Sequence, residues 1–436
     1  MSIVQLKSEN PNLSYIISKN PNSGILAKSL RKGVVLGYYS KGDNQSYNIF
    51  FKDGNDEVSF PSYEGEEFEY LNVTRYNSAL FIVNAIDEVL RSAFKTNEFS
   101  TPDGIKTDNG GYESVFFINM IHIKNERYIS AFEDYFPDYK VEAELINHKN
   151  YQIKVTTKNS IFELLNFISL FGIFNAIVNN EPIFLREENV VKYIKCMNTI
   201  DAPYFLRYLF KIRFIKGMNL FNKKINDFGI IREELSKNRK KSIEMTFGDT
   251  WQARQISIEN RLDFNRNILE IGVGEGKYIT RFSKYMKKHN HYAVDIDKEV
   301  IKEAKRRIKN KGINNVYFYN STEEFIKSND NVGKFDIILT EVIEHMSIED
   351  AKKLIKLVID NIDFNKFIIT TPNADFNKNY FMEGFRHHDH VFEMSANEFR
   401  GFIDDVVDKN NITIEYFNIG DIVEGDTPTQ AVVLDS

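Results

Sequence analysis

The sequence predicts an α/β protein of two domains, an α+β N-terminal domain followed by a doubly wound, Rossmann-like sheet. The chain has 436 residues, more than one hydrophobic core usually holds. Strand-like and helix-like segments alternate regularly from about residue 253 to the end, which is typical of a parallel sheet covered by helices. The first 250 residues mix probable strands with long apolar helices instead. We therefore predict domains at 1–250 and 251–436.

The N-terminal domain is predicted from three strand-like stretches and two apolar helices. The strands are "GVVLGYYS", "SYNIFF" and "YQIKVTT", and the first helix is "YNSALFIVNAIDEVLRSAF". The second helix, "IFELLNFISLFGIFNAIV" at 161–178, contains polar residues and barely reaches the length needed to cross a membrane. We predict a buried core helix there, and no membrane association. The polar segment 222–249 is predicted to be a helical connection to the second domain.

The second domain is predicted as a regular succession of strands and helices. The predicted strands are "NILEIGVG" (267–274), "HYAVDI" (291–296), "NVYFYN" (315–320), "FDIILT" (335–340) and "KFIITTP" (366–372). Helices are predicted between them at "GKYITRFSKYMKKH", "KEVIKEAKRRIKNK", 322–328 and "IEDAKKLIKLVIDNI". After a polar, His-rich insertion at 373–394, the helix "ANEFRGFIDDVVDK" leads to "TIEYFNIG" and "TQAVVLD". We predict that these last two strands pair as an antiparallel C-terminal hairpin at the sheet edge.

Charge and cysteine content narrow the classes of function. The net charge of −6 argues against a protein that coats nucleic acid, because non-specific affinity depends on neutralising phosphates. Basic runs at 237–241 and 302–311 are interpreted mainly as solvated helix faces. The single cysteine, Cys196, cannot form an internal disulfide and fits a reducing cytosol or nucleus. We expect a cytoplasmic protein.

A glycine-rich turn predicts the cofactor. "LEIGVGEG" places three glycines directly after a strand and at the start of a helix, where free N–H groups and missing β-carbons let a ligand approach closely. Asp295 ends the next strand, where a carboxylate can accept hydrogen bonds from both ribose hydroxyls. The G-x-G-x-G spacing differs from the G-x-G-x-x-G of dinucleotide binders, and it favours S-adenosylmethionine over NAD and a class I methyltransferase sheet. The predicted cofactor residues are Glu270, Gly272, Gly274, Gly276, Asp295, Ser321 and Thr340, unless the turn serves only for tight strand–helix packing.

Carboxylates and imidazoles cluster after two neighbouring strands. "TEVIEHM" places Glu341, Glu344 and His345 after the fourth strand, and "FRHHDH" places His390 after the fifth. Carboxyl ends of neighbouring parallel strands face one crevice, so we expect these four side chains to meet. Such a set suits Mg²⁺ or Mn²⁺, whereas the lack of cysteine ligands makes structural zinc improbable. A solvated helix start, with Glu341 and Glu344 on one helix face, is the open alternative.

These residues carry a resemblance to a known family. "LEIGVGEG", "VDID", "FDIILTEVIEHM", "TTPNADFN", "FRHHDHVFEMSANEF" and "PTQAVVL" resemble the small-RNA 3′-terminal ribose 2′-O-methyltransferase family, and the E-V-I-E-H plus R-H-x-D-H-x-F-E pair is highly specific for it. The resemblance is strong over about 253–436. "LSYIISKNPN" and "YNSALFIVNAIDEVLRSAF" are similar, more weakly, to the amino-terminal domain of the bacterial RNA-repair branch.

The resemblance implies cofactors, ligands and partners. S-adenosylmethionine and Mn²⁺ or Mg²⁺ would be the cofactors, and the RNA 3′ end the substrate. The family's metal ligands fall on Glu341, Glu344, His345 and His390. The bacterial branch partners a polynucleotide kinase–phosphatase in RNA repair, and its amino-terminal domain supports the partner's ligase activity. The chain departs from the family at 394–396, where Met, Ser and Ala stand in place of Trp, Thr and Arg, and at Asn260, where Gln is usual.

The expected reaction is methyl transfer to the terminal ribose 2′-hydroxyl of RNA. A metal ion on the 2′- and 3′-oxygens would lower the pKa of the attacking hydroxyl, and would select a terminal nucleotide because only that has an unblocked vicinal diol. His345 and His387 are the predicted catalytic residues, with His387 as proton acceptor, although a polar loop containing His387 and His388 is an equal reading. Two alternatives stay open. One is a metal-independent methyltransferase acting on a small molecule or protein, and the other is a scaffold subunit of an RNA-repair complex.

Overall fold

The computed structural model describes all residues except 1, 31–32, 54–76, 180, 182–186, 221–227, 247, 330–332, 381, 383 and 408–410. The chain divides into two compact units, Met1–Asp227 and Phe228–Ser436. Part of the predicted connection, 222–227, lies outside the described residues. The rest of it, 228–249, groups with the second unit.

The first unit is built on a large antiparallel sheet. Its strands are β1 (Ser2–Ser8), β2 (Leu26–Leu30), β3 (Gly33–Ser40), β4 (Asp43–Asp53), β5 (Glu98–Thr101), β6 (Gly104–Thr107), β7 (Ser114–His122), β8 (Lys140–Asn147) and β9 (Asn150–Thr157). Its helices are α1 (Leu13–Ile16), α2 (Ala79–Val89), α3 (Arg91–Lys95), α4 (Arg127–Tyr135), α5 (Ile161–Val178), α6 (Glu187–Thr199) and α7 (Tyr204–Leu220). Within the described residues, seven strands form one sheet in the order β2-β3-β4-β1-β7-β9-β8, while β5 and β6 pair separately.

Helix α5 lies in the core of the first unit. Ser160 and Glu163 form a capping box at its start, and most of the side chains that follow are buried. Among the described residues, α5 is the one helix long and apolar enough to cross a membrane, and 83% of its residues are buried within the protein. The prediction of a buried core helix is therefore confirmed. The predicted helix at 76–94 is two helices instead, α2 and α3, because Leu90 leaves the helical conformation.

The second unit is a seven-stranded mixed sheet with helices between its strands. Its strands are β10 (Ile243–Glu244), β11 (Asn267–Ile271), β12 (His291–Val294), β13 (Val316–Tyr319), β14 (Phe335–Thr340), β15 (Phe364–Pro372), β16 (Thr413–Ile419), β17 (Ile422–Val423) and β18 (Thr429–Asp435). Its helices are α8 (Phe228–Ser236), α9 (Thr250–Glu259), α10 (Lys277–Phe282), α11 (Lys298–Asn310), α12 (Thr322–Ser328), α13 (Ile348–Asn361) and α14 (Ala396–Val406). The sheet order is β13-β12-β11-β14-β15-β18-β16, and β10 pairs with β17 apart from it.

The order of the strands places a crevice at the middle of this sheet. The first five strands, β11 to β15, are parallel, and the chain order reverses between β11 and β14. Ligands of doubly wound sheets bind at such a switch point, outside the carboxyl ends of the strands. β18 pairs antiparallel with both β15 and β16, which confirms the predicted C-terminal hairpin. Helix α10 ends at Phe282, so the prediction of one long helix from Gly276 was wrong in its length.

Candidate active site

The glycine-rich turn after β11 has a backbone conformation and close neighbours that disfavour residues with side chains. Gly272, Gly274 and Gly276 have φ angles of 79°, 50° and 71°, in the left-handed region that favours glycine. A β-carbon on Gly272 would lie 2.2 Å from Cγ2 of Val342, and one on Gly276 would lie 3.2 Å from Cβ of Ala304. A β-carbon on Gly274 would meet no atom of the described residues within 4 Å. Tight packing thus explains two of the glycines, while Gly274 faces open space.

Asp295 connects the end of β12 to this turn. Its Oδ2 accepts a hydrogen bond of 2.9 Å from the N–H of Gly274, and its Oδ1 accepts one of 3.0 Å from the N–H of Asp297. Ser321 follows β13, where its hydroxyl caps α12 by accepting from the N–H of Glu324 at 3.2 Å. Thr340 is the buried last residue of β14. Four neighbouring parallel strands therefore bring the predicted cofactor residues to one edge of the sheet.

Glu270 lies beneath the glycine turn in a buried pair with a histidine. Nε2 of His291 is 2.8 Å from Oε2 of Glu270, and the side chains are 2% and 1% exposed. The other oxygen, Oε1, has no hydrogen-bond partner among the described residues. Burial raises the pKa of Glu270, although the His291 contact opposes this shift.

Three of the four predicted metal ligands come together. Donor atoms of Glu344, His345 and His390 all lie within 4.8 Å of one another. Glu344 is fully buried, and its Oε2 accepts a hydrogen bond of 3.1 Å from the hydroxyl of Thr371. Its Oε1 has no partner among the described residues. Burial, and next the charge of Glu341, raise the pKa of Glu344 well above the usual range.

A carboxylate lies next to Nδ1 of each histidine in this cluster. Nδ1 of His390 is 2.6 Å from Oε1 of Glu393, and Nδ1 of His345 is 3.4 Å from Oδ2 of Asp389. Each contact leaves Nε2 of the ring for another partner, which is the usual arrangement of metal-binding histidines. Two oriented imidazoles and a buried carboxylate with an unpaired oxygen are therefore residues that fit a divalent metal ion.

Glu341 lies beside this cluster rather than within it. Its φ of 53° is left-handed, so the open alternative of a helix start with Glu341 and Glu344 on one face is wrong. The chain forms only a 3-10 turn over Ile343–His345 before α13 begins. Oε2 of Glu341 accepts from Nη2 of Arg254 at 2.8 Å, and Oε1 accepts from the hydroxyl of Thr370 at 3.0 Å. Sequence reasoning missed Arg254, because a lone arginine in α9, 87 residues before its partner, gives no local signal.

The His-rich insertion closes the other side of the site. The N–H of Val391 donates to the carbonyl oxygen of Glu344 at 2.7 Å, and the N–H of Arg386 donates to Oε1 of Glu393 at 2.7 Å. His387 is exposed, and its Nδ1 contacts Asp389. A cavity of about 400 Å³ results, lined by Thr250, Arg254, Glu341, His345, Pro372, Tyr380, Arg386, His387, Asp389 and His390.

Comparisons with known proteins place the chain in a family. Residues 3–230 match the model of the Hen1 N-terminal domain, and residues 268–361 match that of a methyltransferase domain. The first of these matches covers more than half of the chain.

Curated relatives are similar over shorter stretches. The small RNA 2′-O-methyltransferase of Caenorhabditis elegans is 38% identical over 72 residues, 16% of each chain. That of Tetrahymena thermophila is 27% identical over 169 residues, 34% of this chain and 40% of the relative. The matches thus span less than half the length of these curated relatives.

Solved structures match the chain over its full length. A chain in the structure of the Pnkp1/Rnl/Hen1 RNA repair complex is 29% identical, with a TM-score of 0.79 and coverage of 100% of both chains. A second structure of the Pnkp1/Rnl/Hen1 complex aligns with a TM-score of 0.78, 29% identity and 99% coverage of both chains. With its N-terminal half matched by the family model and its second unit folded as a methyltransferase domain, this chain belongs to the Hen1 family.

Proposed function

We propose that this protein transfers a methyl group from S-adenosylmethionine to the 2′-hydroxyl of the 3′-terminal ribose of RNA, with the help of a divalent metal ion. The observation that carries the proposal is the contact between the side chain of Val342 and Gly272. Val342 stands between Glu341 and Ile343. The glycine turn proposed to bind the cofactor therefore lies against the segment that carries the proposed metal ligands, in one crevice. The similarity to small RNA 2′-O-methyltransferases supports this choice of reaction.

The cofactor residues act by shape and by hydrogen bonding. The open space at Gly274 and the N–H groups at the start of α10 give an adenosyl ligand close access to the backbone. Each oxygen of Asp295 already accepts one backbone hydrogen bond, which fixes the carboxylate and leaves each oxygen a further lone pair for a ribose hydroxyl. We propose Ser321, Thr340 and Glu270 as further residues of this site.

Glu344, His345 and His390 would hold the metal ion, with Glu341 as a proposed fourth ligand on the same cavity wall. A divalent ion there would supply positive charge that lowers the pKa of a ribose hydroxyl; Mn²⁺ and Mg²⁺ are the proposed ions. Arg254 holds the carboxylate of Glu341 at the cavity wall by an ion pair whose side chains are only 12% and 20% exposed.

His387 is the proposed proton acceptor. It is exposed, lines the cavity and contacts Asp389 through Nδ1, so Nε2 is the nitrogen left to face a substrate. Asp389 also lies 3.4 Å from Nδ1 of His345, so one carboxylate contacts both the proposed proton acceptor and a proposed metal ligand. This arrangement supports general base catalysis next to the metal cluster.

We also propose that the protein works in RNA repair with a polynucleotide kinase–phosphatase and a ligase. The similarity over the full chain length to a component of the Pnkp1/Rnl/Hen1 RNA repair complex supports this partnership. Co-purification of the full chain with such partners from the source cell, followed by identification of the bound proteins, would test it.

The reaction itself is tested at the RNA end. The full chain is incubated with RNA, Mn²⁺ and labelled S-adenosylmethionine, and the product is treated with periodate, which cleaves an unmodified terminal diol. We expect label in the RNA and a 3′ end that resists periodate, with neither seen for Glu344→Gln. Label that appears while the end stays sensitive would overturn the assignment of the 2′-hydroxyl. Methylation that survives removal of metal by a chelator would favour a metal-independent enzyme.

A further inference from the structure

We infer that the His-rich turn carries a second metal site, separate from the cluster of Glu344, His345 and His390. Donor atoms of His387, His388 and Asp389 all lie within 4.8 Å of one another, and all three side chains are exposed. The turn that holds them is closed by a hydrogen bond of 3.3 Å from the N–H of His390 to the carbonyl oxygen of His387. The donor atoms of its first three residues therefore lie close together, while its fourth residue, His390, belongs to the first cluster.

The side chains of His387, His388 and Asp389 already contact one another within the turn. Nδ1 of His387 contacts Oδ1 of Asp389, and the rings of His387 and His388 lie 4.5 Å apart at their centroids with an angle of 35°. Little side-chain rearrangement is thus required before an ion replaces the hydrogen bond. Exposure leaves the remaining coordination positions to water.

The donor set selects the class of ion. Two imidazoles and one carboxylate suit Zn²⁺, Co²⁺ or Ni²⁺, because imidazole is a good ligand for these ions. Mg²⁺ requires oxygen ligands in near-octahedral geometry and is a poor match for the turn. The second site is therefore selective for borderline transition metals, whatever ion the buried cluster takes.

Occupancy of the second site would act on the first. Oδ2 of Asp389 lies 3.4 Å from Nδ1 of His345, while Oδ1 contacts His387. An ion held by Asp389 and by Nδ1 of His387 would weaken the contact of Asp389 with His345, and would place a positive charge on the imidazole ring whose Nε2 is proposed to accept the proton. If the proposed function holds, Zn²⁺ at this turn inhibits methyl transfer; the binding itself does not depend on that function.

Equilibrium dialysis of the full chain against Co²⁺ tests the binding. We expect two bound ions for the wild type, one for His388→Asn, one for Glu344→Gln and none for the double variant. His148→Asn, which removes an exposed histidine from the first unit, is the matched control and should still bind two. Two ions bound by His388→Asn would overturn the second site, and so would an equal loss in His148→Asn, since that indicates scattered binding by surface histidines.

A second readout separates this inference from the proposed reaction. In methylation assays with Mn²⁺, added Zn²⁺ should inhibit the wild type at concentrations at least tenfold lower than those needed for His388→Asn. If Zn²⁺ inhibits both proteins equally while the Co²⁺ counts are as expected, the second site binds metal but does not regulate methylation. Absence of methylation in every protein would contradict the proposed function and leave the Co²⁺ counts to decide the site.

Discussion

At the scale of single residues, the carboxylate of Asp295 combines an observed structural contact with a proposed role in cofactor binding. It fixes the glycine turn through the N–H of Gly274, and it presents lone pairs at the end of β12 where an adenosyl ribose would lie. Cofactor binding by Asp295 would depend on the charge of the carboxylate as well as its position, because a hydrogen bond to an ionised acceptor is stronger than one to a neutral acceptor.

Replacing Asp295 with Ala should weaken S-adenosylmethionine binding by about tenfold or more, because hydrogen bonds to a charged group contribute about 1.5–3 kcal/mol each. Isothermal titration calorimetry measures the change. Asp297→Ala is the matched control: it removes a nearby aspartate that caps α11, so it should cost helix stability but little cofactor affinity. Unchanged affinity in a folded Asp295→Ala protein would show that the ribose assignment is wrong.

The buried Glu270 predicts a dependence of stability on pH. Because its pKa is raised in the folded state, the folded protein holds this proton more tightly than the unfolded chain does. The free energy of unfolding should therefore fall as pH rises above the ordinary glutamate value of 4.5 toward the raised pKa. The glutamine of Glu270→Gln does not ionise, so the stability of this variant relative to the wild type should grow with pH across that range.

Urea unfolding at several pH values measures this difference. The single tryptophan, Trp251, lies in α9 and reports on the second unit by fluorescence. Glu349→Gln, at an exposed position, controls for the loss of one carboxylate. A stability of Glu270→Gln that falls relative to the wild type as pH rises would mean that the folded protein favours the ionised form of Glu270, contrary to the raised pKa.

Residue types were easier to predict than residue partners. Spacing alone located the glycines, Asp295 and the cluster of Glu344, His345 and His390, because strand ends in a doubly wound sheet have known neighbours. Neither the Arg254–Glu341 ion pair nor the His291–Glu270 pair was predicted. Both depend on which side chains face each other across elements, and no local pattern encodes that contact.

At the scale of elements, the link between β14 and α13 determines where Glu344 and His345 lie. Glu341 turns the chain out of the strand in a left-handed conformation, and a short 3-10 turn then presents Glu344 inward and His345 toward the cavity. Helix α13 begins later, where the hydroxyl of Ser347 accepts from the N–H of Asp350 at 3.1 Å. The predicted start of this helix at Ile348 is confirmed, whereas local patterns gave no sign of the left-handed residue at Glu341, because they do not detect a single residue with positive φ.

The cluster predicts separable defects in metal and cofactor binding. Glu344→Gln should lower Mn²⁺ affinity by at least tenfold and abolish methylation, because it removes the buried charged ligand while keeping the volume of the side chain. S-adenosylmethionine affinity should stay within about twofold, since the charge-assisted hydrogen bonds expected from Asp295 remain. Electron paramagnetic resonance of free Mn²⁺ and calorimetry measure the two affinities.

Glu349→Gln is again the matched control, because it changes an exposed glutamate in the first turn of α13 and should leave both affinities unchanged. Methylation at the wild-type rate by Glu344→Gln would exclude the metal role of this cluster. It would favour a metal-independent enzyme.

At the scale of the whole molecule, local patterns predicted the sheet of the second unit. A non-local strand pairing makes that unit begin earlier in the chain than predicted. The alternation of strands and helices from 267 onward is confirmed, because each element buries its own apolar face. The segment 228–249 groups with the second unit instead of forming a connection between domains. Its strand β10 pairs with β17, about 180 residues away in sequence, and no composition signal indicates such pairing. A cytoplasmic location stays a prediction.

The contacts of β10 give a specific prediction about where the second unit can be cut. Ile243 and Met245 are 7% and 1% exposed, and the N–H and hydroxyl of Thr246 donate to Oδ1 of Asp421 at 2.7 and 2.8 Å. A fragment that begins at 253 loses all of these contacts, whereas one that begins at 228 keeps them. Each buried apolar side chain contributes about 1.5–3 kcal/mol before the cost of ordering the chain, so the net loss should be about 2 kcal/mol or more.

Thermal unfolding of the two fragments tests this prediction. For a unit of this size, a loss of about 2 kcal/mol lowers Tm by roughly 4–8 °C, so the fragment 253–436 should unfold at least that much below 228–436. Asp421→Asn in the longer fragment is the intermediate case, because it weakens the hydrogen bonds from Thr246 but keeps Ile243 and Met245 in place. Equal Tm values for the two fragments would show that residues 228–252 contribute nothing to the fold of this unit, and would return the boundary to residue 250. If 228–436 is stable and still binds S-adenosylmethionine but does not methylate RNA, the reaction depends on the first unit, since every proposed ligand is present in the fragment.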